Sequence, residues 1–300
     1  VNADLIFMTL LSDPAEADAL RLLSESIWTF GGPLSACRLW IFAPEALWPA
    51  ANDLAGRGIE ALPLTVPAAA GAYPFGAKVA ACARAEELAA PLAGTLTWLD
   101  AECLLVRLPE LYVLDEGCDA ALRPVHLRNV GLPPEAPLDA FWRGIYAAVG
   151  LADAPFTVRT FLDDQPLRAY FNSHGFSVNP RLGLLRKWEN LFTALLADAD
   201  FQASACADDL HRIFLFQALW SALLTAEVPR ERLRLLPPDY NYPYNLHGRV
   251  APERRAAALN ELTSLTYEGR SLAPELVQDV EIREPLRSWL AARVPPAKTE

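Results

Sequence analysis

The sequence predicts an α/β fold with a mainly parallel sheet flanked by helices. Three observations carry that prediction. Apolar runs of strand length recur early in the chain: DLIFMTLL at 4–11, LWIF at 39–42, IEALPLTV at 59–66 and TLTWL at 95–99. Between them the apolar residues switch to helical spacing, and strands alternating with helices build parallel sheets covered on both faces. The 300 residues, 52% of them hydrophobic, suffice to bury such a sheet. One domain over residues 1–294 is expected, with PPAKTE at 295–300 a disordered tail.

Taken in order, the first run leads into Ser12, Asp13 and Pro14. Asp13 suits an N-cap, Pro14 the first helical position and Glu16 the third, and a helix follows through Leu20, Leu23, Ile27 and Phe30. Gly31, Gly32 and Pro33 end it. Residues 39–42 and 59–66 are the next strands, the second interrupted by Pro63. Residues 73–90 begin with a turn and become an Ala-rich helix with Lys78 in its first turn, where a cation opposes the helix dipole. After the strand at 95–99, residues 122–129 look extended, 138–149 form an amphipathic helix, and 156–161 alternate like a strand. Residues 170–180 are strand-like but carry Asn172 and His174, polar where a core strand needs none. Helices follow at 182–196 and 208–226, the second bearing His211 and Gln217, residues that on such a helix usually find a local hydrogen bond. A short run at 233–236, a Pro- and Tyr-rich segment at 237–248 suited to a stiff surface loop, a last strand at 262–269 and a helix at 285–292 complete the chain.

Composition narrows the function. The net charge is −11, and no Lys/Arg cluster is long enough to follow a phosphate backbone, which argues against nucleic-acid binding. The apolar runs are too short to span a bilayer, and no basic region with an apolar stretch and cleavage site opens the sequence, so a cytoplasmic location is expected. Cysteines at 37, 82, 103, 118 and 206 are scattered and fit reduced thiols better than a disulfide framework.

The stretch TLTWLDAECLLV at 95–106 concentrates the chemistry. A buried strand ends in Asp100 and Glu102, and residues two apart in an extended chain face one side, so both carboxylates reach one divalent ion. An acidic pair at a strand end also meets solvent or caps a turn, and the spacing alone favours that reading; the surrounding motifs shift it toward a metal site. Lys78 is open in the same way, as a solvated lysine or as a partner for phosphate or carboxylate. Trp98, Trp142 and Trp220 suit a core better than a sugar-stacking role.

In sequence order these pieces resemble nucleotide-diphospho-sugar transferases of the GT-A fold, in particular retaining glycosyltransferases of the glycogenin and bacterial galactosyltransferase type. LIFMTLLSD is similar to the nucleotide-binding strand, PFGAKVAACARAEE to the helix whose lysine precedes the acidic strand, and TLTWLDAECLLV to the D-x-D strand. YFNSHGFSVNP is similar to the F-N-[AS]-G strand, IFLFQAL to the helix with a D-Q or H-Q pair, LPPDYNYP to L-P-x-x-Y-N, and LTYEG to the terminal H-Y-x-G. The resemblance implies a nucleotide-diphosphate sugar donor, an unknown acceptor and a divalent cation, Mn2+ or Mg2+, on Asp100 and Glu102. It implies donor contacts from Thr9, Lys78, Asp100, Asn172, His174, Tyr240 and Asn241, with Asp239 helping to shape the pocket. Catalytic roles fall to Asp100, Asn172 and Gln217. Members of this class retain anomeric configuration, often without a clear nucleophile, which leaves electrostatics and positioning as the main catalytic terms.

Four departures stand out. Glu102 replaces Asp, Phe216 stands before Gln217 in place of Asp or His, His174 replaces a small residue, and Thr266 replaces the metal-binding His, which leaves a metal site that is looser, completed by His247, or absent. They keep a second reading in view, a degenerate nucleotide-sugar-binding or scaffolding protein of the same fold. A nucleotidyltransferase fits less well, because LLSDPAE offers no Gly-rich basic nest after the first strand.

Overall fold

The computed structural model describes residues 4–294; the tail predicted at 295–300 lies outside the described residues. The first half of the chain runs β1 (Leu5–Leu10), α1 (Ala17–Phe30), β2 (Arg38–Ala43), α2 (Trp48–Leu54), β3 (Ile59–Pro63), α3 (Ala68–Gly71), α4 (Gly76–Ala89) and β4 (Thr95–Leu99). It continues through β5 (Cys103–Leu105), β6 (Ala120–Leu122), α5 (Ala140–Val149), and the paired β7 (Thr157–Arg159) and β8 (Pro166–Arg168). Then come β9 (Gly175–Val178), α6 (Leu184–Ala197), α7 (Ala199–Ala205) and α8 (Asp209–Glu227). The last elements are β10 (Leu233–Leu235), β11 (Tyr242–Pro243), β12 (Ser264–Thr266) and α9 (Leu286–Ala291).

The central sheet has seven strands in the order β10-β6-β9-β4-β1-β2-β3. β1 to β4 are mutually parallel, β10 is parallel to β6, and β9 runs antiparallel to both of its neighbours. Alternation along the strands divides the apolar side chains between two cores. Ile6, Met8, Leu10 and Trp98 pack toward the α4, α6 and α8 side, whereas Leu5, Phe7, Ile41 and Leu99 pack toward α1. A third core lies around a small sheet, β11-β12-β5, and the C-terminal segment.

The predicted α/β class and mainly parallel sheet are observed. The helix start at Asp13 is a capping box, with Asp13 accepting from Ala15 N and Glu16 reaching back. Two readings need correction, and a third holds in part: residues 122–129 belong to a strand only through Leu122, but Pro124 still bridges Phe171 and Val125 N donates to the Tyr170 carbonyl. The strand expected over 170–180 is confined to Gly175–Val178, so Asn172 and His174 precede it. The segment 237–248 is no surface loop: Tyr240, Tyr242, Tyr244 and His247 are buried, filling the α1-side and third cores. No helix among the described residues is long and apolar enough to cross a membrane, and the five cysteines are buried, with no disulfide among the described residues.

Candidate functional site

The parallel strands β1 and β4 end at a cleft. Because β9 is antiparallel, its entry segment Asn172–His174 lies beside the exit of β4, and the pairing of Leu99 with Gly175 brings Asp100 next to His174. The N-terminal turn of α4 supplies Lys78 from one side, and the chain leaving β12 supplies Glu268 from the other. The result is two adjoining cavities of about 290 and 310 Å³. They share Phe75, Lys78, Asp100, His174 and Glu268. Leu10, Ser12, Glu16, Trp98, Glu102 and Thr266 are among those completing the first; His126, Asn172, Ser173, Gln217 and Asn245 are among those completing the second.

Asp100 is the hub. Its Oδ1 accepts from Lys78 Nζ at 2.7 Å and Trp98 Nε1 at 2.5 Å, and its Oδ2 accepts from His174 Nδ1 at 2.7 Å. Lys78 Nζ also donates to the Ser173 carbonyl at 2.8 Å and sits over the Trp98 and Phe216 rings. His174 Nε2 lies 2.9 Å from Glu268 Oε1, so the imidazole bridges two carboxylates. Carboxylates only accept, so bonds at both ring nitrogens call for N–H at both. Burial opposes that charge, yet the hydrogen bonds to Asp100 and Glu268 outweigh it and push the His174 pKa up to about 9. Burial would likewise raise the Asp100 carboxyl, but Lys78 and His174 hold it down at about 2. The His174 hydrogen bond also lowers the pKa of Glu268.

The support around this hub is polar and buried. Asn172 Oδ1 accepts from His174 N at 2.8 Å and from Asn241 Nδ2 at 2.5 Å, and Asn241 N donates to Ser264 Oγ at 2.7 Å. Ser173 Oγ donates to Gln217 Oε1 at 3.1 Å, fixing the Gln217 amide in the second cavity. Buried Arg123 donates to the carbonyls of Pro238, Tyr240 and Asn241, pinning the segment that carries Asn241. Asp239 anchors the same segment by accepting from Thr263 Oγ1 at 2.5 Å.

The fold brings Asp100, Lys78, Asn172, His174 and Gln217 together, with Asn241 behind Asn172. It does not bring in Thr9, which is buried on the face of β1 turned toward α1 while Leu10 lines the cleft. Tyr240 is buried in the α1-side core with its hydroxyl accepting from Leu111 N, and is outside the cleft as well.

The expected cation ligands are not assembled into a cage. Asp100 and Glu102 do not share one face of an extended strand: the chain turns after Leu99, Cys103 N donating to the Asp100 carbonyl at 3.0 Å, and β5 joins a different sheet. Glu102 Oε1 accepts from Gly269 N, and the buried Thr266 hydroxyl has no hydrogen-bond partner among the described residues. His247 has Nδ1 bonded to the Tyr242 hydroxyl and Nε2 to the Asp279 carbonyl, so it supplies no ligand here. Among the described residues no group of three or more His, Cys, Asp or Glu is placed to hold a metal ion. A divalent cation does not fit this donor set as it stands.

Sequence reasoning missed Glu268, Trp98 and His126. Trp98 was legible: the two-residue alternation that fails for Asp100 and Glu102 holds for Trp98, inside the strand, and Asp100, the first residue beyond it. Glu268 and His126 carry no local pattern that marks them.

No family model matches the chain, and no curated protein is similar to it in sequence. Solved structures do match. The galactosyltransferase LgtC, in complex with donor and acceptor sugar analogues, aligns over 97% of this chain and 96% of its own, with a TM-score of 0.52 at 14% identity. The chain has a GT-A-type glycosyltransferase fold. An LgtC active-site mutant carrying glutamate for glutamine aligns over the same shares with a TM-score of 0.56 at 14% identity. The bifunctional glycosyltransferase WbbM shares this GT-A core over 90% of this chain and 46% of its own, with a TM-score of 0.50 at 12% identity.

Proposed function

We propose that this chain is a glycosyltransferase moving a sugar from a nucleotide-diphosphate donor to an acceptor. One observation carries the reading: on a GT-A-type sheet, Lys78 and His174 gather on Asp100 at the carboxyl ends of β1 and β4. Ligands of open α/β sheets bind at that end. A diphosphate needs positive charge and N–H donors, which a chain of net charge −11 does not offer generally. Lys78 and His174 are the cations of the cleft, and to meet a diphosphate they must turn from Asp100 and Glu268, which hold them here. The sugar then faces the second cavity, where Gln217 and Asn172 present amides.

In this reading Lys78 and His174 bind and stabilise the departing diphosphate, Asp100 orients both, and Asn172 positions His174 through its backbone N–H. Both sit on carboxylates here and turn to the diphosphate as it binds; once turned, they are in place as charge develops on the leaving group. Gln217 holds the sugar; the LgtC neighbour whose active-site glutamine is replaced lends support to that role. Retention of anomeric configuration belongs to the same proposal and is read from the product anomer by NMR. The Mn2+ or Mg2+ expected from the resemblance takes no step here.

Thermal shift with UDP, GDP, ADP and their hexose conjugates, in Mn2+ or in EDTA, tests the donor reading. At a ligand concentration 100 times Kd, binding stabilises the native state by about 2.7 kcal/mol. The expected result is a shift with one nucleotide series in EDTA, reduced at least tenfold in affinity in Asp100→Ala. Shifts seen in Mn2+ alone would restore the metal, and an unchanged Asp100→Ala would remove Asp100 from the site. A binding protein without turnover is favoured by one feature, the engagement of both Asp100 oxygens by protein donors, and predicts the same shifts with no donor cleavage.

A further inference from the structure

His126 is the polar side chain of the second cavity that no protein group satisfies. It is 7% exposed, and neither Nδ1 nor Nε2 has a hydrogen-bond partner among the described residues. The ring lies nearly parallel to His174, 6.3 Å away and inclined by 10°, and edge-on to Phe161. Its backbone is held on both sides. Val125 accepts from Phe161 N and His126 accepts from Leu162 N, both at 3.0 Å, while Val125 N donates to the Tyr170 carbonyl.

A buried polar group left without a partner is destabilising, and protein interiors seldom keep one without a use. Burial, with Arg123 and His174 nearby, also drives the His126 pKa well down. A neutral imidazole offers one donor and one acceptor, the complement of a hydroxyl. Away from the charged group it shares with the first cavity (Lys78, Asp100, His174 and Glu268), the cavity has the same character, with Asn172, Ser173, Gln217 and Asn245 set among Phe214 and Phe216. Neutral amides and hydroxyls beside aromatic rings match a sugar rather than a phosphate.

We propose that His126 reads a sugar hydroxyl in the second cavity, one ring nitrogen turning about χ2 to meet it. The inference rests on the glycosyltransferase reading and assigns it a specificity-determining residue. A site whose polar group is left unpaired by the wrong ligand discriminates strongly, so the sugar that satisfies His126 is preferred over its deoxy analogue.

The test compares wild type with His126→Phe and His126→Gln by calorimetry. The probes are UDP-glucose, UDP-galactose, GDP-mannose and ADP-glucose against UDP, GDP and ADP, with methyl hexosides as acceptor-type probes. Because no protein hydrogen bond is lost, His126→Phe is expected to melt at or above the wild-type temperature. Its affinity for a sugar-bearing probe falls at least tenfold, while the free diphosphate binds unchanged; His126→Gln recovers part of the loss. A loss confined to nucleotide sugars places the hydroxyl on the donor, and one confined to methyl hexosides places it on the acceptor. Equal sugar binding in wild type and His126→Phe, or a lowered melting temperature with equal losses for sugars and diphosphates, overturns the inference alone. If no probe binds the wild type, the glycosyltransferase reading falls and takes the inference with it.

Discussion

Lys78 occupies a poor place for a lysine. In the first turn of α4 a cation meets the positive end of the helix dipole, at a cost of about 0.3–1 kcal/mol. The side chain is 4% exposed, so it also loses its water. Both costs are met by the Asp100 carboxylate and the Ser173 carbonyl. Removing one member of a buried pair typically costs about 3–5 kcal/mol. Asp100 is 23% exposed, which lets water take part of the partner's role. Lys78→Met is therefore expected to cost about 2–3 kcal/mol in urea unfolding, below that buried-pair range. The Lys78→Met/Asp100→Asn double variant should lose less than the sum of the two singles, since each single leaves the partner's charge bare and the double removes both charges. Additive losses would contradict the pairing. The oddity of Lys78 was legible in the sequence. Its partner was not, because nothing local tells a helix which strand end it will face.

At the scale of elements, the site depends on how α4 is seated. Gly76 opens the helix, and a Cβ there would meet the Ala70 carbonyl oxygen at 1.9 Å, so α4 begins in close contact with α3. Ten residues on, the fully buried Glu86 accepts from Leu185 N at 2.9 Å and Arg186 N at 3.0 Å, capping α6 where Gly183 offers no side chain. Glu86→Ala removes a cap and leaves buried N–H groups unmatched, so a loss of about 2–3 kcal/mol is expected in denaturant unfolding. Glu86→Gln, which keeps an acceptor, should recover at least half. Equal losses in the two variants would contradict the capping role. Sequence reasoning found both helices but not this link, since a Glu inside a helix reads as solvated unless its burial is known. The same limit explains the strand ends. Alternation located β4 and β9, yet the turn after Leu99 arises from the tertiary demand that β5 join another sheet.

For the whole molecule, the parallel class was legible because alternating apolar runs and helical segments leave few other folds. The third core was not, because Tyr242, Tyr244 and Leu265 belong to short elements that acquire a shared interior only after folding. That core holds Asn241 and the Glu268 segment against the end of β4, joining distant parts of the sequence into one cleft. Its construction supports an enzyme that works through fixed positions and charge. The most direct measurement is release of nucleoside diphosphate from UDP-, GDP- and ADP-hexoses at high protein concentration, in EDTA, with wild type and Asp100→Asn. The account predicts release from at least one donor, reduced at least 100-fold in a variant that still melts cooperatively. No release from any donor, or release that survives Asp100→Asn, would contradict it.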